Sequence, residues 1–147
     1  MLKRAKVLIV DDDPLNRLVL EKTLQQDYDV FCVESGEKAL TFLKTQAVDL
    51  LILDIVMPGI DGYEVLGKLK ENATTSMLPV IFISANNSHD DEAKGLELGA
   101  MDYITKPFSA AIVRARVRNQ LLIKQKNDLL EMLASIDGLT EIPNRRY

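Results

Sequence analysis

Polar side chains at the ends of four apolar runs are of the types that bind a divalent cation and a phosphoryl group. Asp11 and Asp12 follow the run VLIV, and Asp54 ends the run LLILD. A third run, VIFIS, ends in the hydroxyl of Ser84, and Lys106 follows a fourth, YIT. Such runs predict buried parallel strands, and ligands of an open parallel sheet lie at the carboxyl ends of its strands. We therefore expect these five side chains to converge on one site.

The expected acidic cluster needs a cation, because carboxylates this close repel one another. Mg²⁺ fits, since it takes oxygen ligands, keeps several waters and combines one or two carboxylates with a phosphate. The charges of the three carboxylates, one Mg²⁺ and Lys106 sum to zero, which suits an incoming phosphoryl group. Asp54 stands alone at its strand end and is the expected nucleophile, forming an acyl phosphate while Asp11 and Asp12 hold Mg²⁺. Ser84 and Lys106 would each contact a phosphoryl oxygen.

Strand and helix signals alternate along the chain, with VFCV as the second strand. Five such units predict a doubly wound α/β sandwich. The first helix is expected to follow Asp13, a turn residue or N-cap, and to carry the apolar residues Leu15, Leu18 and Val19. The expected first residues or N-caps of the five helices are Pro14, Ser35, Asp61, Ser88 and Ser109.

The last helix is too long for the sandwich alone. It has no proline or glycine between Ser109 and about Ser135, a length of roughly 40 Å. One apolar stripe, of Val113, Val117 and Leu121, is expected to pack on the sheet. A heptad frame predicts a second stripe and a parallel coiled-coil dimer, whereas a frayed helix with an apolar face is the alternative. The frame places Ile112, Asn119, Lys126 and Leu133 at a, and Ala115, Leu122, Leu129 and Ile136 at d.

Composition narrows the function classes. The 147 residues carry a net charge of −4, which argues against a general nucleic-acid binder. No apolar stretch approaches the roughly 20 residues of a membrane span, and the first apolar run is too short for a signal peptide. The single cysteine, Cys32, is expected to be a buried thiol, and the single histidine, His89, to be exposed. We predict a cytoplasmic protein without nucleic-acid or membrane partners.

Four sequence pieces together resemble the receiver domain of two-component response regulators. They are VDDD, LDIVMPGIDG around Asp54, ISA at Ser84 and DYITKPF around Lys106. The resemblance implies a CheY-like, flavodoxin-like (βα)5 sandwich with a five-stranded parallel sheet in the order 2-1-3-4-5, followed here by an extended helix. It also implies that Asp54 accepts a phosphoryl group from the phosphohistidine of a sensor histidine kinase or a phosphotransfer protein, and that this chain is not itself an enzyme.

The same resemblance assigns further residues of the site. The backbone carbonyl of Val56 is implied to be an Mg²⁺ ligand, and the peptide bond from Lys106 to Pro107 to be cis. Ser84 and Tyr103 match the switch pair of the family, in which the hydroxyl moves toward the phosphoryl group and the aromatic ring turns inward behind it.

The final segment, DGLTEIPNRRY, resembles the start of the GGDEF domain of diguanylate cyclases, which commonly reads D-x-L-T-x-x-x-N-R-R. The matching residues are Asp137, Leu139, Thr140, Asn144, Arg145 and Arg146, whereas Glu141 and Ile142 depart from the usual pair. The predicted organisation is a receiver domain at 1–125, a helix or coiled-coil linker at 109–135 and the start of an output domain at 136–147. Phosphorylation would then regulate a cyclase through dimerisation at Leu122, Leu129, Leu133 and Ile136.

Two other functions remain open. The sequence DDDPLN resembles the D-x-D motif of haloacid-dehalogenase-type phosphatases, with Asp11 as the nucleophile. That motif expects threonine or valine where Leu15 stands, and it leaves Asp54 without a role. A phosphorylation-independent dimerisation scaffold is the third hypothesis, and the complete set of site residues argues against it.

Overall fold

The computed structural model describes residues 4–84 and 102–140, with side chains described up to residue 134. Five strands and four helices lie in this described part of the chain. The strands are β1 (Lys6–Val10), β2 (Asp29–Val33), β3 (Leu50–Asp54), β4 (Val80–Ser84) and β5 (Asp102–Thr105). The helices are α1 (Pro14–Leu24), α2 (Gly36–Thr45), α3 (Gly62–Glu71) and α4 (Ala110–Thr140).

The strands form one parallel sheet in the order β2-β1-β3-β4-β5. This confirms the predicted doubly wound fold and its strand order. The chain runs outward from β1 in both directions, to β2 on one side and to β3 on the other. The carboxyl ends of β1 and β3 therefore lie side by side at the point where the strand order reverses, which is the usual ligand position in such sheets.

The central strands are buried on both faces because side chains alternate along a strand and helices cover each face. Leu8 and Phe82 belong to a core cluster that α2 and α3 complete. Ile9 and Ile81 belong to a second cluster, completed by α1 and α4. Each fully buried side chain of this size contributes about 1.5–3 kcal/mol to folding, so the sheet is a rigid support for the residues at its edge.

The helix starts agree with the predicted caps. Pro14 is at the first position of α1, and the carboxylate of Asp13 accepts a hydrogen bond from the Leu15 N–H group. Ser35 caps α2, Asp61 caps α3 with a full capping box, and the hydroxyl of Ser109 accepts from the Ile112 N–H group in the first turn of α4.

The apolar residues of α1 are divided between the surface and the core. Leu15, Leu18 and Val19 are 64%, 46% and 41% exposed, whereas Leu20 and Leu24 are fully buried. Residues four apart lie on one face of a helix, and this pair, later in the helix, is the one that faces the sheet. The exposed residues of α1 thus form an apolar surface that begins directly after the acidic turn.

Cys32 is exposed, not buried as predicted. It lies on β2, an edge strand that pairs with β1 alone within the described residues and is covered less completely than the central strands. Partial burial, followed by the nearby charge of Glu21, still raises the pKa of the thiol to about 11. The thiol is therefore protonated near neutral pH and is a poor nucleophile.

Helix α4 packs on the sheet through Val113, Val117 and Leu121, as predicted. Its backbone stays helical to Thr140, five residues beyond the expected end and through Gly138. A single glycine costs a helix only about 1 kcal/mol, too little by itself to end one. Among the described residues, no helix is both long and apolar enough to cross a membrane. The helix predicted after Ser88, together with His89, lies outside the described residues.

Candidate functional site

The register of the sheet brings the predicted site residues to one edge. Val10 is paired with Leu53, so Asp11 and Asp54 lie side by side at the ends of β1 and β3. Ser84 is paired with Thr105 at the ends of β4 and β5, and Lys106 is the next residue. The Lys106 N–H group donates to the carbonyl of Ser84 at 2.6 Å, which holds the two strand ends together beyond the last paired residues.

Three carboxylates meet at this edge. Oxygen atoms of Asp11, Asp12 and Asp54 all lie within 4.8 Å of one another. Asp11 and Asp54 are buried and Asp12 is exposed. Oδ1 of Asp11 accepts a hydrogen bond from the Asp13 N–H group, while the buried Oδ2 has no hydrogen-bond donor within the described residues. A buried carboxylate oxygen without a donor, beside two more carboxylates, is an arrangement that suits a hard cation such as Mg²⁺.

Asp54 is electrostatically unusual. Burial, followed by the nearby carboxylate of Asp11, raises the pKa of Asp54 from 3.8 to about 7, against the opposing effect of Lys106. The charged form is thus disfavoured at this position unless more positive charge arrives. A carboxyl group with such a pKa is a candidate functional group, and its place at a strand end gives it access to solvent-borne ligands.

Lys106 supplies the positive charge that the site contains. Its Nζ atom lies 3.4 Å from Oδ2 of Asp54 and 3.7 Å from Oδ2 of Asp11. The peptide bond from Lys106 to Pro107 is cis, as the family resemblance implies. The lysine reaches both carboxylates from a strand end that is separated from β3 by β4.

Ser84 and Tyr103 occupy neighbouring strands. Ser84 is buried at the end of β4, and Tyr103 is buried in the core on the α2 and α3 face of the sheet. The ring of Tyr103 lies edge-on to Phe82, with centroids 6.4 Å apart, and Phe82 is in similar contact with Tyr63. The tyrosine is therefore an inward-facing residue in this structure, and its part in a switch stays a prediction.

Two residues that the sequence analysis did not single out contact the site or its loops. Nη1 of Arg17, in α1, donates to the backbone carbonyl of Asp11 at 2.7 Å. Oε2 of Glu37, in α2, accepts from the Ile60 N–H group at 3.3 Å, in the loop that follows Asp54. A cation within one turn of an acidic triplet is a signal that could have identified Arg17, whereas the contact of Glu37 spans 23 residues and has no local signal.

A cavity of about 490 Å³ lies elsewhere in the described part of the chain. It is formed at the amino ends of β3 and β4, between the segments 43–48 and 74–79 and the middle of α4. None of the three clustered aspartates lines it. The acidic cluster lies instead at the carboxyl edge of the sheet, where the exposed Asp12 reaches solvent.

The predicted dimer seam is exposed where it is described. Leu122, Leu129 and Leu133 are each about half exposed, with values of 55%, 50% and 48%. At 3.6 residues per turn they lie roughly opposite the stripe of Val113 and Val117 that packs on the sheet. The side chain of Ile136, the fourth residue of the seam, lies outside the described side chains. No part of the globular fold covers this face of α4 in the described residues.

Asp102, at the start of β5, and Arg116, in α4, form an ion pair within the chain at 3.0 Å. Both side chains are partly exposed, so the pair contributes at most about 1 kcal/mol to stability.

Comparison with known proteins agrees with the geometry. The sequence profile described as "Response regulator receiver domain" matches residues 7–118. A protein of Vibrio cholerae serotype O1 named as a probable cyclic di-GMP phosphodiesterase is 41% identical over 129 residues, which are 88% of this chain and 29% of that protein. The alkaline phosphatase synthesis transcriptional regulatory protein PhoP of Bacillus subtilis is 36% identical over an alignment that covers 95% of this chain and 61% of PhoP.

A solved structure, described as the BeF3-activated DrrB receiver domain, superimposes with a TM-score of 0.74 at 34% identity, covering 81% of this chain and 98% of that one. The chain thus matches less than two thirds of the length of these two curated relatives, whereas it matches nearly all of the isolated receiver domain.

Proposed function

Because this chain belongs to the response regulator receiver family of two-component signalling, we propose that Asp54 is its phosphoryl acceptor. The observation that carries the proposal is the buried carboxylate of Asp54, which lies within 4.8 Å of two further carboxylates and 3.4 Å from the ammonium group of Lys106. The donor would be the phosphohistidine of a sensor histidine kinase or of a phosphotransfer protein, acting in the cytoplasm.

Asp11, Asp12 and Asp54 would hold Mg²⁺, together with the backbone carbonyl of Val56. The donor set fits this ion, since it offers carboxylate oxygens, one of them buried without a hydrogen-bond donor, at a site open to water. Bound there, Mg²⁺ would neutralise negative charge on the phosphoryl oxygens and on the carboxylates.

In the transfer itself, a carboxylate oxygen of Asp54 forms a bond to phosphorus while the bond from phosphorus to the histidine nitrogen breaks. The electron pair of that bond stays on the imidazole, which leaves. Lys106 would pair with one phosphoryl oxygen, and the hydroxyl of Ser84 would donate to another. We assign Ser84 and Tyr103 to the switch because they lie on neighbouring strands, and because Tyr103 already packs inward against Phe82.

The acceptor is tested by incubating the protein with phosphoramidate or acetyl phosphate and Mg²⁺. One added phosphoryl group is expected, prevented by EDTA and by Asp54→Asn and retained in a control with the exposed Asp27→Asn. Reduction of the acyl phosphate with borohydride, followed by peptide mass spectrometry, identifies the labelled residue. A phosphoryl group on Asp11 would support the phosphatase alternative, and no labelling under any of these conditions would support the scaffold.

We also assign a GGDEF diguanylate cyclase output to the whole protein. The support is the resemblance of residues 137–146 to the start of that domain. In addition, one relative is named as a probable cyclic di-GMP phosphodiesterase, which links a similar receiver domain to the same second messenger. Another relative is named as a transcriptional regulator, so relatives alone do not select the output. The test is a cyclase assay on a protein that includes whatever sequence follows Tyr147. The assay measures whether this protein synthesises cyclic di-GMP from GTP.

Phosphorylation would act on such an output through a parallel dimer of α4. The helix buries one face on the sheet and leaves Leu122, Leu129 and Leu133 exposed on the opposite face. A coiled coil through this face would place two output domains side by side. The polar residues Asn119 and Lys126 at a positions weaken such a seam, which suits an association that a modest free-energy change can switch.

A further inference from the structure

The loop from Ile55 to Asp61 connects β3 to α3 and directly follows Asp54. Its start is held by a hydrogen bond from the Ile55 N–H group to the Ile83 carbonyl, at 3.1 Å. Its end is held by the Gly62 N–H group, which donates to the Ile55 carbonyl at 2.8 Å, and by the capping box of α3. None of these contacts involves the backbone between Val56 and Ile60.

A contact with this part of the loop comes from α2. The Ile60 N–H group donates to Oε2 of Glu37 at 3.3 Å. Gly59, the preceding residue, has φ of +80°, a conformation that favours glycine. A Cβ atom on Gly59 would lie only 2.5 Å from the same Oε2 atom. The carboxylate of Glu37 therefore occupies the place of the missing side chain and reaches the loop backbone because residue 59 is a glycine.

The start of α2 is itself fixed against this loop. A Cβ atom on Gly36 would lie 2.6 Å from Cγ2 of Val65 and 2.7 Å from Cγ1 of Ile60, so the helix end packs in direct contact with the loop and with α3. Glu37 is in the first turn of α2, where a negative charge is favoured by the helix dipole. In the described part of the chain no ion pair involves Glu37, which leaves its carboxylate to accept from the loop.

We propose that Glu37 is a positioning residue that holds the loop from Ile55 to Asp61 in the conformation that binds Mg²⁺. The inference rests on the proposed function, in which the backbone carbonyl of Val56 is a ligand. Glu37 acts at a distance from the metal, through the Ile60 amide and the conformation of Gly59. A charge-assisted hydrogen bond to a backbone amide can fix the conformation of a loop while leaving its metal-binding carbonyl group free to bind the ion.

The test uses Glu37→Ala and the isosteric Glu37→Gln, with Glu34→Gln as the matched control. Glu34 is an exposed carboxylate close in sequence, and it pairs with Lys38. In metal-free protein, NMR hydrogen exchange of the Ile60 amide should become about three- to tenfold faster in Glu37→Ala. The Mg²⁺ dissociation constant should rise by a similar factor, less in Glu37→Gln, and not at all in the control.

A second pair of variants tests the contact with Gly59. Gly59→Ala should weaken Mg²⁺ binding by more in the wild-type background than in Glu37→Ala, because part of its effect is the collision with the carboxylate. Unchanged Ile60 exchange and unchanged Mg²⁺ affinity in Glu37→Ala would overturn the inference. If wild-type Asp54 is phosphorylated normally in that case, the inference alone fails, whereas absence of Mg²⁺-dependent labelling in the wild type contradicts the proposed function itself.

Discussion

The Nζ atom of Lys106 lies closer to Oδ2 of Asp54, at 3.4 Å, than to the carboxylate of Asp11, at 3.7 Å. The lysine therefore contacts Asp54, the proposed acceptor, slightly more closely than Asp11, which is proposed as a metal ligand only. A phosphoryl group adds about 1.5–2 negative charges near neutral pH, and here they would arrive beside this ammonium group. Lys106 is therefore expected to bind the phosphoryl group, whereas the carboxylates are expected to bind Mg²⁺. Substitutions can separate these two roles.

Replacing Lys106 with alanine should leave Mg²⁺ affinity unchanged or slightly higher, because a competing positive charge is removed while all carboxylates remain. The same variant should bind beryllofluoride, a phosphoryl mimic, at least about tenfold more weakly, since a charge-assisted contact is lost. NMR titrations measure both affinities. Lys124→Ala is the matched control, because Lys124 pairs with Asp49 and Asp128 outside the site. Loss of Mg²⁺ binding in Lys106→Ala would contradict this division of tasks.

The stability of the metal-free protein should fall as the pH rises from about 4 to about 7. Over this range folded Asp54, with a pKa near 7, keeps a proton that an unfolded aspartic acid with a pKa of 3.8 has released. Unfolding therefore releases a proton, and higher pH favours the unfolded state. Asp54→Asn should remove this dependence and stabilise the metal-free protein at pH 8 by about 1–3 kcal/mol.

Urea denaturation in EDTA at pH 5 and pH 8 measures this contribution, with Asp27→Asn as a control that keeps the wild-type pH dependence. Adding Mg²⁺ should stabilise the wild type more at pH 8 than at pH 5, because only the ionised carboxylate is a good ligand. The assignment of the pH dependence to Asp54 would be wrong if the Asp54→Asn variant lost as much stability between the two pH values as the wild type.

Arg17 should prove important for the acidic turn, although it is not among the residues proposed to contact the phosphoryl group. Its guanidinium group donates to the Asp11 carbonyl at 2.7 Å and so fixes the backbone that carries Asp11 and Asp12. Arg17→Ala should raise the Mg²⁺ dissociation constant by about three- to tenfold. Arg118→Ala, a change of equal charge on exposed α4, should have no effect. Equal affinities of the two variants would show that general electrostatic attraction, not the hydrogen bond, is what Arg17 supplies.

The sheet and its site edge were predictable because the central strands are buried on both faces and read as continuous apolar runs. Polar residues that follow such runs, including Asp54 and Ser84, must then lie at the same edge of a parallel sheet, where all the strands end. Helix faces were harder to predict. Leu15 and Leu18 are apolar but exposed, since the two later leucines of α1 are the ones that pack in the core.

Contacts between distant segments were beyond the sequence. The hydrogen bond from Ile60 to Glu37 depends on how α2 and α3 pack together, and no periodicity or spacing encodes it. The exposure of Cys32 follows from the position of β2 at the edge of the sheet, whereas its apolar neighbours alone suggested a buried strand. Local patterns thus gave the elements and their ends, while tertiary packing decided which side chains are covered.

The exposed face of α4 should mediate dimerisation, and Leu129→Asp should weaken it by about a hundredfold or more. In a parallel dimer the two copies of Leu129 meet, so the substitution removes two leucines from the seam and places two like charges together.

Asn127→Asp is the matched control, because it adds the same charge to the face that is directed toward the receiver fold. Sedimentation velocity with and without beryllofluoride measures the association of each protein. We expect tighter association of the wild type with beryllofluoride, no change caused by Asn127→Asp and loss of dimer in Leu129→Asp. A wild type that stays monomeric at high concentration in both states, or equal dimerisation of the two variants, would contradict the seam at Leu122, Leu129 and Leu133.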